Sequence, residues 1–551
     1  MLAALVAGSL SAQDAPSGYR IEDETVVASC SRCHRVDDDG RMSRISYLRK
    51  TPEGWQSSVR RMVALHGLSI EPEAARDVVR YLSDELGLAP QELRPALFEV
   101  ERRLIDYDYE GDSGVEFTCI QCHSMGRVMT QRRTREEWAL LFATHRALYP
   151  LVDGQAFRRS GPARDDDEGS RHPMDVAIDH LSDVFPLETP EWSAWAATKR
   201  PPRLEGEWAL SGHEPGRGPI FGSVRIAADA GDPAAFRTTM SYVYAETGER
   251  VSRTGDAIVY TGYQWRGRSN PGTDMELREV MLLERDTRTM TGRWFSGAYD
   301  EHGPDVTLRR VGGDAVLAGV YPRALERGGT VRVTLHGGGF PAGRPSESAF
   351  DFGQGVLVQG VEASGDGTIT LSLAVDDAAP VGARDLYAFG SALDEAIVVH
   401  DGIDRIEVTP ATGMARVGGA AFPKGRQVFE AMGYDDGPDG ESGTDDDLEL
   451  GRIDVEWRLD EYAATFGDDD IDFVGTIQLD GTFVPALDGP NPERLGNRNN
   501  VGDVWVIATH RAASGEELTA RAHLVVTVPL YLRWEPWREI DQQARAPGVT
   551  P

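Results

Sequence analysis

Two short stretches carry side chains at the spacing of one specific piece of chemistry: Cys30-Ser31-Arg32-Cys33-His34 and Cys119-Ile120-Gln121-Cys122-His123. In C-x-x-C-H the two thiols are set to add across the vinyl groups of a haem as thioethers. The histidine that follows brings an imidazole under the iron. These four cysteines are all that the 551-residue chain contains. A pair of disulfides or a zinc site would also use thiols, but neither requires a histidine directly after each second cysteine. A zinc ribbon also rarely sets its two C-x-x-C halves so far apart. The expectation is two covalently bound haem c groups on Cys30, Cys33, Cys119 and Cys122, with His34 and His123 as proximal iron ligands.

The elements that must position these motifs repeat with them. After the first motif comes Arg49-Lys50-Thr51-Pro52-Glu53-Gly54-Trp55, and after the second Arg132-Arg133-Thr134-Arg135-Glu136-Glu137-Trp138. Both read as helix starts: Thr51 is an N-cap with Pro52 at the first helical position, and Thr134 with Glu137 forms a capping box. A later helix also recurs, as residues 77–84 and again as 176–183. The spacing therefore predicts two small helical cytochrome halves, about 19–95 and 96–200, within one dihaem domain over 19–200.

The repeat also points to the distal ligands. Seven residues beyond Trp55 stands Met62, and seven beyond Trp138 stands His145. Thioether and imidazole both serve as axial haem ligands, so Met62 and His145 are expected opposite His34 and His123. Met42 and His66 remain alternatives in the first half, and Met125, Met129, His172 and His180 in the second. The plainer alternative for Met62 is core filler, a common use of methionine. A His/Met haem would sit at higher potential than a bis-His haem, so electrons would enter at the second and leave by the first.

Lys199-Arg200-Pro201-Pro202 closes the helical region, and beyond it short alternating strands separated by Gly and Asp turns take over. The fold class expected is multidomain: an all-α dihaem cytochrome c domain followed by all-β domains. These are an antiparallel β-barrel over 203–312 and two immunoglobulin-like β-sandwiches over 313–402 and 403–535, with a tail at 536–551. The acidic run 435–447 has the composition of a calcium loop but not the EF-hand register. His336-Gly337-Gly338-Gly339 resembles an oxyanion motif, but the G-x-S-x-G elbow it would serve is absent from the sequence.

A net charge of −32 disfavours nucleic acid and anionic lipid as partners, which need basic patches. No apolar run reaches the length of a membrane span. Residues 1–12 read as the apolar core and small-residue end of an export signal that could begin further upstream, with 1–18 as the signal-like segment. Haem attachment outside the bacterial cytoplasm agrees, so a periplasmic location is expected.

The order dihaem repeat, barrel, sandwich, sandwich resembles the α subunit of quinohaemoprotein amine dehydrogenase. The resemblance spans the whole chain, and its sharp motifs are the two haem sites. It implies a heterotrimer with a β-propeller subunit and a small subunit that carries a cysteine tryptophylquinone. There a primary amine is oxidised to aldehyde and ammonia. Electrons then pass through the haems to a soluble acceptor such as a blue-copper protein or cytochrome c. With all four cysteines committed to haem, this chain cannot hold the quinone itself, and no catalytic residue is expected on it. Two other readings stand beside this one: a stand-alone dihaem carrier and a dihaem peroxidase. A peroxidase would need an open iron position and a distal acid–base pair.

Overall fold

Each C-x-x-C-H motif begins on the last residue of a seven-residue helix that an aspartate caps. In the computed structural model, which describes residues 18–98, 107–149, 151–157, 171–296, 302–365, 367–419, 421–463, 469–512 and 515–529, helix α1 (Glu24–Cys30) is capped by Asp23. Its carboxylate accepts from Val26 N at 2.8 Å. The expected export segment, apart from Gly18, and the expected tail lie outside the described residues. The chain divides into two units, one built on 1–201 with 260–263, the other on 202–259 and 264–536.

In the first unit α1 is followed by α2 (Pro52–His66), α3 (Pro72–Glu85) and α4 (Pro90–Leu93). The second half repeats the plan with α5 (Ser113–Cys119), α6 (Gly126–Met129), α7 (Arg135–Leu148), α8 (Pro173–Val184) and α9 (Pro190–Ala196). Asp112 caps α5 as Asp23 caps α1, accepting from Val115 N at 2.8 Å. Thr51 accepts from Gly54 N and Thr134 from Glu137 N, each at 3.2 Å, which satisfies amides that a helix start otherwise leaves open. The expected capping box at Thr134 is only half made. The Glu137 carboxylate turns to Arg44 Nε at 2.8 Å, and Thr134 N donates to Tyr47 O instead. A charged partner outcompetes a neutral backbone amide for that carboxylate.

Buried Trp55 and Trp138 hold the helix pairs together. Their ring N–H groups donate to Leu86 O at 3.0 Å and Phe185 O at 3.3 Å, the residues that end α3 and α8. Around Trp55 pack Val26, Val59, Val78, Val79 and Leu82; around Trp138 pack Val115, Phe142, Ala177, Ile178 and Leu181. The halves meet in a two-strand antiparallel ribbon, β1 (Leu48–Lys50) against β2 (Gln131–Arg133). Equivalent residues of the repeat, Arg49 and Arg132, pair at its centre.

The second unit opens with eight antiparallel strands: β3 (Gly206–Glu214), β4 (Gly218–Ala228), β5 (Ala235–Tyr244), β6 (Arg250–Tyr260), β7 (Gln264–Ser269), β8 (Leu277–Leu283), β9 (Thr289–Ser296) and β10 (Asp305–Arg310). They form a closed barrel, with β10 returning to β3 at Leu308↔Leu210. Closure removes the sheet edges, and buried Trp208, Trp265 and Trp294 add bulk to its core.

Beyond the barrel, strands Val316–Tyr321, Thr330–Gly338, Thr368–Val375 and Val356–Gly365 make one four-stranded sheet. Ala324–Glu326, Ser391–His400, Gly382–Ala388 and Phe350–Asp351 make another. Both feed one core through Val333, Leu335, Leu371, Leu386 and Ile397. The last region, from Arg405 to Thr527, has three small sheets around Phe429, Phe483, Val504, Val506 and Leu524.

Candidate haem-binding sites

The two cysteine motifs leave their helices in the same way. Cys30 and Cys119 end α1 and α5, and the chain then turns back so that Cys33 N donates to Cys30 O at 3.1 Å and Cys122 N to Cys119 O at 3.5 Å. All four thiols are free, so the disulfide alternative is not realised. Cys30 and Cys119 are half-buried, and Cys33 and Cys122 are exposed. Burial, reinforced by the neighbouring thiol, pushes Cys30 and Cys119 up to about 11, which keeps both as thiols near neutrality.

Hydrogen bonding fixes the tautomer of each expected imidazole ligand. The His34 Nδ1 lies 2.8 Å from Ser43 O, the His123 Nδ1 2.8 Å from Ser124 O, and the His145 Nδ1 2.8 Å from Leu141 O. A carbonyl oxygen only accepts, so Nδ1 carries the proton in all three rings. The neutral ring then turns its lone pair outward on Nε2, the arrangement a metal-bound histidine needs. Burial, with Arg127 and His145 adding to it, lowers His123 to about 4 and keeps it neutral.

The rings of His123 and His145 lie with their centroids 6.4 Å apart and their planes inclined at 51°. An iron about 2 Å from each Nε2 places two axial imidazole centroids at about this separation. Residues Phe142 and Tyr149 flank His145 at 6.1 and 6.2 Å. The donor set in the second half therefore fits a six-coordinate haem.

In the first half Met62 lies half-buried on α2, and it shares no hydrogen bond with His34 among the described residues. Met42, Met125 and Met129 are core residues, and His66 is exposed at the end of α2. His172 Nδ1 accepts from Met174 N at 3.2 Å, which puts the proton of the neutral ring on Nε2. His180 Nε2 is taken by the Tyr109 hydroxyl at 2.6 Å.

Sequence reasoning missed the carbonyls that orient these rings. For His145 a signal existed, because a helical histidine reaches the carbonyl four residues back, here Leu141. For His34 and His123 the acceptors are loop carbonyls of Ser43 and Ser124, which no side-chain pattern announces.

Outside the haem region the acidic loop turns several of its carboxylates to partners within the protein. Arg405 binds Asp436 at 3.2 Å and Asp447 at 2.6 Å, and Asp435 accepts from Asp401 N at 2.8 Å. No cluster of His, Cys, Asp and Glu suited to a metal ion occurs among the described residues. His336 is buried and stacks on Phe221 at 4.3 Å, a packing role. No helix among the described residues is long and apolar enough to cross a membrane.

Comparison with protein families gives four matches in register along the chain. Residues 21–192 match "Quinohemoprotein amine dehydrogenase A, alpha subunit, haem binding". Residues 201–311, 314–401 and 406–538 match domains II, III and IV of the quinohemoprotein amine dehydrogenase alpha subunit. No curated protein matches the chain. Among solved structures, a de novo fluorescence-activating β-barrel is 17% identical, covers 19% of this chain and 93% of its own, with a TM-score of 0.16. A Bacteroides ovatus mixed-linkage glucan utilization protein, SGBP-B, is 11% identical over 47% of this chain and 58% of its own, with a TM-score of 0.18. Mouse protocadherin PcdhgC3 is 12% identical over 45% and 77%, with a TM-score of 0.16. Likenesses this low bear on neither fold nor function.

Proposed function

The chain belongs to the family of quinohemoprotein amine dehydrogenase α subunits, and we propose that within it the first unit is a dihaem electron relay. On this reading Cys30, Cys33, Cys119 and Cys122 attach two haem c groups, His34 and Met62 ligate one iron, and His123 and His145 ligate the other. The observation that carries the reading is the pair His123 and His145, their ring centroids 6.4 Å apart and each Nδ1 bound to a carbonyl.

Bound haem would supply one-electron exchange at its iron. The protein's own residues decide where and at what potential. Ser43, Ser124 and Leu141 orient the imidazoles through their carbonyls and raise ligand basicity. Met62, as a ligand, would favour the reduced state of the first site relative to the second. Two imidazoles on the second iron and a thioether on the first would leave peroxide no open position, and it is that full ligation of both sites which would argue against the peroxidase reading. With every cysteine committed, the quinone and the amine chemistry fall to a partner. We assign the partners as a β-propeller subunit and a small subunit with cysteine tryptophylquinone, the location as the periplasm, and the acceptor as a blue-copper protein or soluble cytochrome c. The β regions, read as a barrel and two immunoglobulin-like sandwiches over 203–312, 313–402 and 403–535, would supply subunit contacts.

The test is an absorption spectrum of the native complex before and after a simple primary amine. Sharp reduced c-haem bands on adding amine support a quinone-fed relay. Reduction by dithionite but not by amine would leave a stand-alone carrier.

A further inference from the structure

Close to the expected haem ligands, a group of cations in the first unit has few carboxylate partners among the described residues. Lys50 is only 5% exposed, yet its Nζ donates to the neutral Ser58 hydroxyl at 2.7 Å and lies 5.3 Å from the Trp55 ring. No carboxylate of a described residue reaches it. Arg61 is half-buried and makes no ion pair among the described residues. Arg133 is buried; its Nε and Nη2 donate to Gln131 Oε1 at 2.9 and 2.7 Å, and its Nη1 stands 4.0 Å from Glu137 Oε2. Arg44 Nε binds the same Glu137 oxygen at 2.8 Å from a left-handed backbone, φ 71°, unusual for a side chain of its size. Among the described residues Glu137 is the one carboxylate paired with any of these four cations.

These charges act on one another. Burial first, then Arg133, Arg61 and Arg44, hold Lys50 well below the usual ammonium range. Burial, and behind it Arg61 and Arg44, depresses Arg133 to about 9. A buried cation without a counter-charge is costly, and proteins meet that cost by supplying an anion. The cluster also adjoins residues of both expected haem sites. Arg44 follows Ser43, whose carbonyl holds His34. Arg61 precedes Met62 and interacts with Tyr149, whose ring lies 6.2 Å from that of His145.

We propose that Arg44, Lys50, Arg61 and Arg133 form the receptor for haem propionate carboxylates, with Lys50 and Arg61 as the groups that pair with them directly. This rests on the haem c reading above. The pairing turns an unfavourable cluster into a charge-assisted one and couples haem capture to completion of the interface between the two halves. A cation held beside a propionate also favours the reduced haem, because reduction adds negative charge nearby.

The experiment is a spectroelectrochemical titration of the full haem-loaded chain and of Lys50→Gln, Lys50→Arg and Arg61→Gln, each with its haem content measured by pyridine haemochrome. Loss of the charge should lower one of the two midpoint potentials. The expected change in the reduced-to-oxidised ratio at fixed potential is about tenfold, or 59 mV for one electron. Lys50→Arg should keep the parent value. Two attached haems with both potentials unmoved in the neutral variants would overturn the proposal. If Lys50→Gln does not fold, Arg61→Gln, on the half-exposed face of α2, decides alone. A parent chain that carries no covalent haem would instead defeat the haem reading itself.

Discussion

Arg49 and Arg132 lie directly opposite one another at the centre of the β1–β2 ribbon, and one buried carboxylate binds both. Glu92 takes Arg49 in a bidentate grip at 2.8 and 2.9 Å and Arg132 Nε at 3.0 Å. It accepts further from Ala89 N at 2.8 Å and from the Thr189 hydroxyl at 2.9 Å. The two halves are thus joined by a β ribbon whose symmetric partners need a single asymmetric anion.

Replacing Glu92 with Gln should therefore be severe. It keeps the volume but strands two buried guanidinium groups, and breaking a buried pair in this way costs about 3–5 kcal/mol. Urea unfolding of the haem-loaded chain, followed by the haem absorbance, checks this. A change in midpoint stability below about 1 kcal/mol would show that solvent reaches the site.

The same carboxylate makes stability depend on acid. Burial works to raise Glu92, but the hydrogen bonds and charges of Arg49, with Arg132 behind them, overrule it and hold the group at about 2. Its unfolded value is about 4.3. The folded pKa is the lower one, so this stabilisation is full above the unfolded value and is lost as pH falls from there toward 2. Denaturant midpoints between pH 2.5 and 6, ranges set by those values, should rise with pH in the parent chain. The rise should flatten in Glu92→Gln.

His145 offers a test of ligation independent of catalysis. His145→Met should raise the potential of one haem while both stay six-coordinate, because thioether ligation favours the reduced iron. His145→Ala should leave a five-coordinate, high-spin haem that binds cyanide or imidazole. An unchanged low-spin spectrum in the alanine variant would transfer the distal role to another residue.

Much of this was legible because local rules and long-range order agree. Thr51, Thr134, Trp55 and Trp138 stand at equal spacings, so the caps and the buried indoles of α2 and α7 could be read before any contact was known. In the barrel, strands rich in Val, Ile and Leu such as β8 were plain. By contrast β5 alternates buried apolar residues with exposed Arg237, Thr239 and Ser241, and β7 carries Arg266 and Arg268. Their polar faces hid them. Glu137 was read as half of a capping box and instead serves Arg44, a residue 93 positions away. Pairing at that distance leaves no trace in a local pattern, and neither does the cation cluster around it.

In the second unit, the barrel strand β3 is tied to residue Glu430 through His213, whose Nε2 lies 2.8 Å from the carboxylate. Glu430 also accepts from Gly216 N at 2.9 Å, and Arg452 stands 3.9 Å away while binding Glu246. Burial alone would lower His213, but the hydrogen bond and charge of Glu430 prevail and raise it, with Arg452 opposing and Glu246 assisting. The folded pKa is then above the unfolded value of about 6.5. The stabilisation is complete below that value and is lost as pH rises through the folded one. Unfolding of the β region, followed by tryptophan fluorescence, should show a midpoint that declines with rising pH across this window. His213→Gln should remove the decline while keeping a neutral hydrogen bond to Glu430. A decline that survives the substitution would assign the pH dependence to another group and leave His213 a neutral spacer.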